Sequence, residues 1–362
     1  MLAHFKKLDW LLIASSIFLT GFGLLSIYSS SLGRGDFGNF KKQIIFLGIG
    51  IFIMFLFSFF DWRYFREDPY LILILYFISL LSLAGLFFFA PEIRGTKSWY
   101  KIGGLSLDPI EFVKIIMVVL LAKYFSSRHI EMYRIRHILL SGFYILLPAI
   151  LIFFQPNLGS VLILLCLWFG ILFVSGIKLR HFLILIVVGA LLLAVSWATV
   201  LKDYQKERVL SFVQPQLVDP LKIGWNQRQA KIAVGSGGLF GQGIFNGSQA
   251  QYGFLPEPQT DFIFAAIAEE TGLAGVSVLF LFFLILIWRI MKIALNAGNN
   301  FSRLFAVGFN IILITQIFIN IGMSIGLLPI IGIPLPLVSY GGGGLILIFL
   351  ALGILQNMKV NP

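Results

Sequence analysis

The sequence is poor in charged residues. Aspartate, glutamate, lysine and arginine make up 12% of its 362 residues, whereas a soluble globular chain carries about 25%. Hydrophobic residues make up 59%, and the mean hydropathy is +0.94. This composition excludes an ordinary soluble domain and indicates an integral membrane protein.

Cysteine and histidine are also scarce, which narrows the chemistry. The single cysteine, Cys166, lies inside an apolar run, so an intrachain disulfide is excluded. The four histidines form neither a metal-ligand cluster nor a nucleophile–histidine pair. The glycines of 235–243 are not followed by Gly-Lys-Ser/Thr at the spacing of a phosphate-binding loop, so a nucleotide site is unsupported.

Two further features of soluble or secreted proteins are missing. The first apolar run, from Trp10, has no small-residue cleavage site, which favours a retained span over a signal peptide. The net charge of +11 comes from basic residues scattered over short loops. That distribution fits membrane topology and attraction to anionic lipid better than nucleic-acid binding.

Long apolar runs dominate what is present. A helix needs roughly 17 to 25 apolar residues to cross a bilayer, and about ten runs of suitable length occur. We therefore predict an all-α integral membrane protein with ten transmembrane helices in one domain, 1–362. The fourth run is short, and the eighth is interrupted by Glu269, Glu270 and Gly272. The runs cover about 10–30, 43–60, 70–90, 110–125, 137–154, 158–176, 181–201, 262–294, 303–326 and 338–357.

The basic residues of the short loops predict the orientation. With the N-terminus inside, thirteen lysines and arginines lie in the inner segments and six in the short outer loops. Cytoplasmic segments are enriched in lysine and arginine. The excess predicts that both termini are cytoplasmic and that the long loop 202–261 lies on the outer face of the membrane.

The stretch "FLPEPQTDFIFAAIAEETG", 254–272, holds four of the sixteen acidic residues. Ionised carboxylates beside an apolar segment are costly unless they are paired or functional. Asp261 is one of two candidates, with Thr260, for the N-cap of the following helix. It is also a candidate general base, since shielding from water would raise the pKa of its carboxyl. For Glu269 and Glu270 we expect a structural polar contact inside the protein.

The fourth span opens with "LDPIEFVKII". Asp108 as N-cap, Pro109 at the first helical position and Glu111 at the third predict a helix start. Lys114 lies on the same helix face as Glu111. Two interpretations stay open: a structural ion pair, or a pair that lines a cavity in which Lys114 faces an anionic group such as a phosphate.

Two outer segments add candidates for phosphate binding and for a cavity. The alternation of apolar and basic residues over 225–234 predicts a short helix in the membrane interface. Arg208, Arg228 and Lys231 are candidates to bind phosphates, or simply to rest on lipid headgroups. The prolines and glycines of 326–345 cannot continue a helix, which predicts irregular backbone packed in protein or lining a cavity.

Together these segments resemble the SEDS family (shape, elongation, division and sporulation), and more closely its elongation type than its division type. The matching stretches follow the family order over nearly the whole chain. They are "RGTKSWYKIGGLSLDPIEFVK", "QPNLGS", "DYQKERVLSFVQPQLVDPL", "AKIAVGSGGLFGQG", "GSQAQYGFLPEPQTDFIFAAIAEETGLAG" and "GIPLPLVSYGGGG".

The resemblance implies an inverting peptidoglycan glycosyltransferase that polymerises lipid II on the outer face of the cytoplasmic membrane with a class B penicillin-binding protein and other elongation proteins. It places the general base on Asp261 and the family's glutamate and lysine on Glu111 and Lys114. A requirement for a divalent cation stays open. The rival hypotheses are a flippase for lipid-linked precursors and a non-catalytic cell-wall scaffold.

The sequence departs from the family pattern at three places. Gln259 stands where a histidine is common, and Asn157 where "QPDLG" has an aspartate. "DPIE" replaces "QPSE" at the start of the fourth span. Asn157 argues against a mechanism with a second carboxylate there, and Gln259 removes one candidate helper beside the base.

Overall fold

The structure, a computed structural model, describes residues 2–91, 98–102, 105–127, 135–199, 203–213 and 223–361. Helices make up nearly all of this part, with one short antiparallel hairpin. The elements are α1 (Leu2–Lys7), α2 (Trp10–Arg34), α3 (Gly38–Phe59), α4 (Arg63–Glu67), α5 (Pro69–Phe89), β1 (Tyr100–Ile102), β2 (Leu105–Leu107), α6 (Pro109–Ser126), α7 (Ile135–Phe154), α8 (Leu158–Val174), α9 (Leu179–Thr199), α10 (Asp203–Val213), α11 (Ile223–Ser236), α12 (Ser248–Gln251), α13 (Ile263–Leu295), α14 (Asn300–Ile325) and α15 (Gly342–Val360).

Each of the ten predicted spans coincides with a helix, so the predicted all-α membrane fold is confirmed. Within the described residues, eight helices are long and apolar enough to cross a membrane: α2, α3, α5, α7, α9, α13, α14 and α15. The other two predicted spans fall on α8, which has 17 residues, and on α6, which carries charged residues. Parts of two family-like stretches, 94–97 with 103–104 and 214–221, lie outside the described residues, as do 200–201 of the seventh span.

The core of the bundle is formed by α6, α13, α14 and α15 together with α2, α3 and α8. Most side chains of α6 and α14 are buried, whereas none of the described side chains of α9 is. Small residues let the helices approach closely. An added Cβ at Gly353 of α15 would lie 2.5 Å from the backbone oxygen of Met54 in α3. Such small-residue contacts are typical of membrane helix interfaces, where van der Waals packing drives association.

A buried ion pair joins three helices at the end of the bundle that holds both termini. Asp9 is the N-cap of α2, and its carboxylate accepts hydrogen bonds from the guanidinium of Arg289 in α13 at 2.5 to 3.0 Å. The side chain of Gln356 in α15 bonds both the backbone N–H and the carbonyl of Asp9. Lys359 Nζ also lies 3.4 Å from Asp9 Oδ2, so the buried carboxylate is paired and hydrogen-bonded, as a charge removed from water requires.

The predicted interruption of the eighth span is a break in α13 at Gly272. Its φ of 62° and ψ of −165° lie in a region that is essentially restricted to glycine. The segment 237–243 binds both sides of the break. Its bonds are Leu273 N to Gly238 O (3.0 Å), Ala274 N to Leu239 O (3.0 Å), Gln242 N to Glu269 O (2.9 Å) and Gly243 N to Glu270 O (3.1 Å). The loop thus satisfies the backbone groups that the break leaves without helical partners.

The two glutamates before the break hold further parts of the chain. The carboxylate of Glu269 accepts hydrogen bonds at the start of α12, from Gln249 N (2.7 Å), Ala250 N (3.2 Å) and Ser248 Oγ (3.2 Å). Glu270 accepts a hydrogen bond from the hydroxyl of Ser29 in α2. The structural contact predicted for these glutamates is therefore present, and it ties the long loop to the bundle.

Candidate active site

A cavity of about 390 Å³ opens where several helices begin. Its walls come from the starts of α3, α6 and α8, from the loop before α13 and from the irregular segment before α15. The prolines and glycines of 326–345 predict non-helical backbone. The backbone is irregular over 326–341, and residues 332–337 and 339–341 line the cavity, whereas the prediction is wrong for 342–345, which form the first turn of α15. The interpretation of that segment as a cavity wall is confirmed.

Asp261 lines this cavity, but it does not cap the helix. The N-cap of α13 is Phe262, whose side chain makes no capping hydrogen bond. The predicted cap at Thr260 or Asp261 is therefore wrong. A turn in which Thr260 N and Phe262 N both donate to the carbonyl of Glu257 delays the helix start. The Oδ2 atom of the Asp261 carboxylate lies 3.4 Å from where a Cβ of Gly332 would stand.

The backbone on either side of the cavity holds the Asp261 loop in place. Three successive carbonyls of the loop each accept a hydrogen bond from the region 320–340. The bonds run from Tyr340 N to Gln259 O (2.8 Å), from Ser339 Oγ to Thr260 O (2.6 Å) and from Asn320 Nδ2 to Asp261 O (2.9 Å). The position of Asp261 is thus set through the main chain, and its side chain is presented to the cavity.

Gln259 has a structural role beside this loop. Its side chain is buried, accepts a hydrogen bond from Asn39 Nδ2 at 2.8 Å and donates one to Ser31 Oγ at 3.2 Å. Both ends of the amide are therefore occupied by contacts to α2 and to the start of α3. Gln259 held in this way fixes the loop. An amide does not accept a proton, so Gln259 cannot assist Asp261 as a second base.

The start of α6 contributes Asp108, Glu111 and Lys114 to the cavity wall. Asp108 caps the helix by accepting from Ile110 N at 2.9 Å, and Pro109 is the first helical residue, as predicted. Lys114 Nζ lies 2.7 Å from Glu111 Oε1, with side chains 3% and 16% exposed. Both residues also line the cavity. The ion pair and the cavity position, which the sequence leaves as alternatives, occur together.

The pKa of the Asp108 carboxyl is raised above its ordinary value. Burial raises the pKa of Asp108, and the neighbouring Glu111 raises it further, against the opposing effects of the Ile110 N–H and Lys114. The neutral acid is thereby favoured relative to an exposed aspartate. Asp108 stands where the SEDS pattern has an uncharged glutamine, which fits this tendency.

Several cavity residues were not identified as candidates from the sequence. Lys42 and Glu257 line the cavity beside Asp261, and Trp99 and Tyr340 contribute aromatic walls. From the sequence, Lys42 was considered only as one of the basic residues of the outer loops. In the structure it lies within the first turns of α3. A charged residue just inside an apolar span usually faces protein or a cavity, and this was the signal that could have identified it.

Asn157, where the family pattern has an aspartate, also faces the cavity. It is the N-cap of α8, and its Oδ1 accepts a hydrogen bond from Ser160 N at 3.2 Å. Asparagine caps a helix about as well as aspartate. The substitution therefore keeps the helix start and removes a charge from the cavity wall.

The other basic candidates lie away from the cavity lining. Arg208 lies on α10, and Arg228 and Lys231 are exposed on α11. The helix predicted over 225–234 is present as α11, and its Ala230 and Ala233 pack in a buried cluster with residues at the start of α13. The structure does not bring Arg208 or Lys231 together with Asp261, Glu111 and Lys114. Among the described residues, no group of three or more His, Cys, Asp or Glu side chains could hold a metal ion.

Comparisons with known proteins agree with this architecture. A family model described as "Cell cycle protein", FTSW_RODA_SPOVE, matches residues 9–362. The chain is 35% identical to the peptidoglycan glycosyltransferase MrdB of Escherichia coli K12 over 98% of this chain and 94% of that protein. It is 35% identical to the stage V sporulation protein E of Bacillus subtilis 168 over 97% and 96%.

Two solved structures share the fold over nearly the full length. One comes from work on the structural coordination of polymerization and crosslinking by a peptidoglycan synthase complex. It has a TM-score of 0.83 at 30% identity and covers 98% of both chains. The other is the rod shape determining protein RodA of Thermus thermophilus, with a TM-score of 0.72 at 29% identity over 97% of this chain and 96% of that one.

Proposed function

Because this chain belongs to the FtsW, RodA and SpoVE family of cell cycle proteins, we propose that the cavity around Asp261 is the active site at which it extends glycan strands. The chain is a multi-pass membrane protein and a peptidoglycan glycosyltransferase, the activity named for its relatives. One observation carries the assignment of the site. Asp261, which is not the N-cap of α13, lines the same cavity as Lys114.

The reaction joins two lipid-linked sugars. The donor glycan carries an undecaprenyl pyrophosphate on its anomeric carbon, and the acceptor is the 4-hydroxyl of lipid II. Asp261 takes the acceptor proton as the oxygen attacks. The new carbon–oxygen bond forms as the bond to pyrophosphate breaks, and the α-linked donor becomes a β-1,4 linkage.

The leaving group explains why one carboxylate suffices. Pyrophosphate departs as a stable anion, so it needs nearby cations and no proton donor. Lys114 lines the cavity and is suited to this role, while Glu111 orients it through their 2.7 Å contact. Arg208 and Lys231 lie outside the cavity lining, so we propose that they bind phosphates of the lipid-linked substrates near the headgroups.

Reconstitution of the purified chain with lipid II and a class B penicillin-binding protein tests this function. We expect the wild type to form glycan strands that a muramidase degrades. The irregular, cavity-lining backbone of 326–341 is also typical of transporters. Wild-type protein that moves lipid II across sealed vesicles and forms no strands in either arrangement would contradict the polymerase.

The partner follows from the relatives and is part of the proposal. One structural relative comes from a peptidoglycan synthase complex that coordinates polymerization and crosslinking. Its similarity extends over 98% of both chains. We propose that this chain likewise works with a crosslinking class B penicillin-binding protein and with further membrane proteins of cell elongation.

The orientation completes the proposal, with both termini cytoplasmic and 202–261 forming one large outer loop of the single membrane domain. Cysteine labelling in a Cys166→Ala background checks it. Tyr252→Cys, whose parent side chain is 78% exposed, should react with a membrane-impermeant maleimide in sealed right-side-out vesicles. Ser127→Cys, at the exposed end of α6, should react only after permeabilisation. The opposite pattern would place the cavity on the inner face.

A further inference from the structure

Asn320 is a buried amide in the apolar helix α14. Its side chain has 0% exposure, and its Nδ2 donates to two backbone carbonyls, Asp261 O at 2.9 Å and Ile333 O at 2.8 Å. A polar side chain in a membrane helix is costly unless it is hydrogen-bonded. The two carbonyls therefore account for an amide at this position.

The two carbonyls belong to two separate segments of the chain that both line the cavity. Asp261 ends the loop before α13, and Ile333 lies in the irregular segment before α15. One planar NH₂ group bonds both carbonyls, so it fixes the distance between the Asp261 loop and the segment before α15, next to the Asp261 side chain. Only an atom with at least two N–H donors can make this bridge, which excludes serine and threonine as equivalents.

We propose that Asn320 is a positioning residue for proton transfer: by bridging the Asp261 and Ile333 carbonyls, it holds the Asp261 carboxylate at the distance that the acceptor hydroxyl requires. The inference rests on the proposed function, because Asn320 acts through Asp261 and does not line the cavity itself. General-base catalysis demands hydrogen-bond reach between base and hydroxyl, so small displacements of the loop are costly.

The same helix supplies a matched control. Asn310 is also buried in α14, at 1% exposure, and its Nδ2 donates to one backbone carbonyl, Ile287 O, at 3.1 Å. Within the described structure, the amide oxygens of both asparagines lack hydrogen-bond partners. The two residues are ten positions apart, about 15 Å along a helix, and Asn310 is not a cavity residue.

The experiment compares Asn320→Leu with Asn310→Leu in the full-length protein, reconstituted with lipid II and the class B partner. Both variants lose a buried amide, so both should lower the unfolding temperature. For Asn320→Leu we expect kcat per folded molecule to fall about 100-fold, with little change in the half-saturating lipid II concentration. Asn310→Leu should leave kcat unchanged.

A second pair keeps the test decisive if Asn320→Leu does not fold. Asn320→Ser and Asn310→Ser each retain one hydroxyl donor, so the serine at 320 can bond only one wall of the cavity. We expect Asn320→Ser to fold and to lose kcat while Asn310→Ser does not. Equal loss of activity per folded molecule at both positions would show that Asn320 is merely structural.

Different results would contradict the role of Asp261 as the base and the role of Asn320 as a positioning residue. If Asp261→Asn polymerises lipid II at the wild-type rate, the assignment of the base is wrong and the role of Asn320 falls with it. If Asp261→Asn is inactive while Asn320→Leu turns over as fast as Asn310→Leu, only the positioning role is wrong.

Discussion

Replacing Asp261 with asparagine is expected to abolish glycan polymerisation while the protein stays folded. Asparagine has nearly the same size but cannot accept the acceptor proton, and a positioned general base contributes a factor of about 100 to 10,000 in rate. The Asp261 loop is held by hydrogen bonds to its main-chain carbonyls, and the N-cap of α13 is Phe262. The fold therefore has little reason to change. Strand formation from lipid II, normalised to folded protein, measures the effect.

Asp108→Asn is the control within the same cavity. Asparagine caps a helix about as well as aspartate, so the bond to Ile110 N should be kept. Burial already raises the pKa of Asp108 and favours its neutral form, so removing this charge changes the site less than removing that of Asp261. We expect Asp108→Asn to retain activity. Equal loss in both variants would mean that the cavity needs negative charge in general and not a base at 261.

The pH dependence of the two proteins adds a second measurement. A base must be ionised to act, so wild-type turnover should fall in acid. The residual turnover of Asp261→Asn should lack this acidic limb. A variant that keeps the wild-type pH profile at reduced rate would indicate that another group takes the proton.

Helices and their starts were predictable from the sequence, because the signals are local. The ten apolar runs coincide with ten of the helices. The order Asp108, Pro109, Glu111 correctly predicts the start of α6. Glu111 and Lys114 were identified for the same reason, since charges near the start of an apolar helix need a partner or a cavity.

The geometry around Asp261 was not predictable in this way. The turn that moves the N-cap to Phe262 depends on hydrogen bonds to the carbonyl of Glu257, which no composition rule anticipates. Asn320 and Ser339 reach the loop from positions 59 and 79 residues further along the chain. Arg208 and Lys231 were candidates from the sequence but do not line the cavity. A basic residue in an outer loop does not by itself show whether its side chain reaches the cavity.

The second large effect is expected at the Glu111–Lys114 pair. Lys114→Met should abolish polymerisation and also destabilise the protein, because it leaves Glu111 buried without its partner. Breaking a buried ion pair on one side typically costs about 3 to 5 kcal/mol, and the Lys114 side chain is 3% exposed. The single variant therefore cannot separate a structural role from a catalytic one.

The double variant Glu111→Gln/Lys114→Met separates the two roles. It removes both charges, and replacing a whole buried pair with neutral groups is often close to neutral for stability. We expect the unfolding temperature to recover, whereas polymerisation stays lost because no cation at 114 faces the departing pyrophosphate. Recovery of both stability and activity would show that the pair is only structural.

The buried pair at the other end of the bundle provides the comparison. Asp9 and Arg289 are joined by hydrogen bonds of 2.5 to 3.0 Å and are not cavity residues. Arg289→Met should destabilise the protein less than Lys114→Met does, because Lys359 Nζ still lies 3.4 Å from Asp9 Oδ2. Asp9→Asn/Arg289→Met should restore both stability and strand formation, with asparagine keeping the cap of α2. Loss of activity that persists in this remote double variant would mean that polymerisation depends on buried charge throughout the bundle. The loss of activity in Lys114→Met would then no longer support a contact between Lys114 and the pyrophosphate.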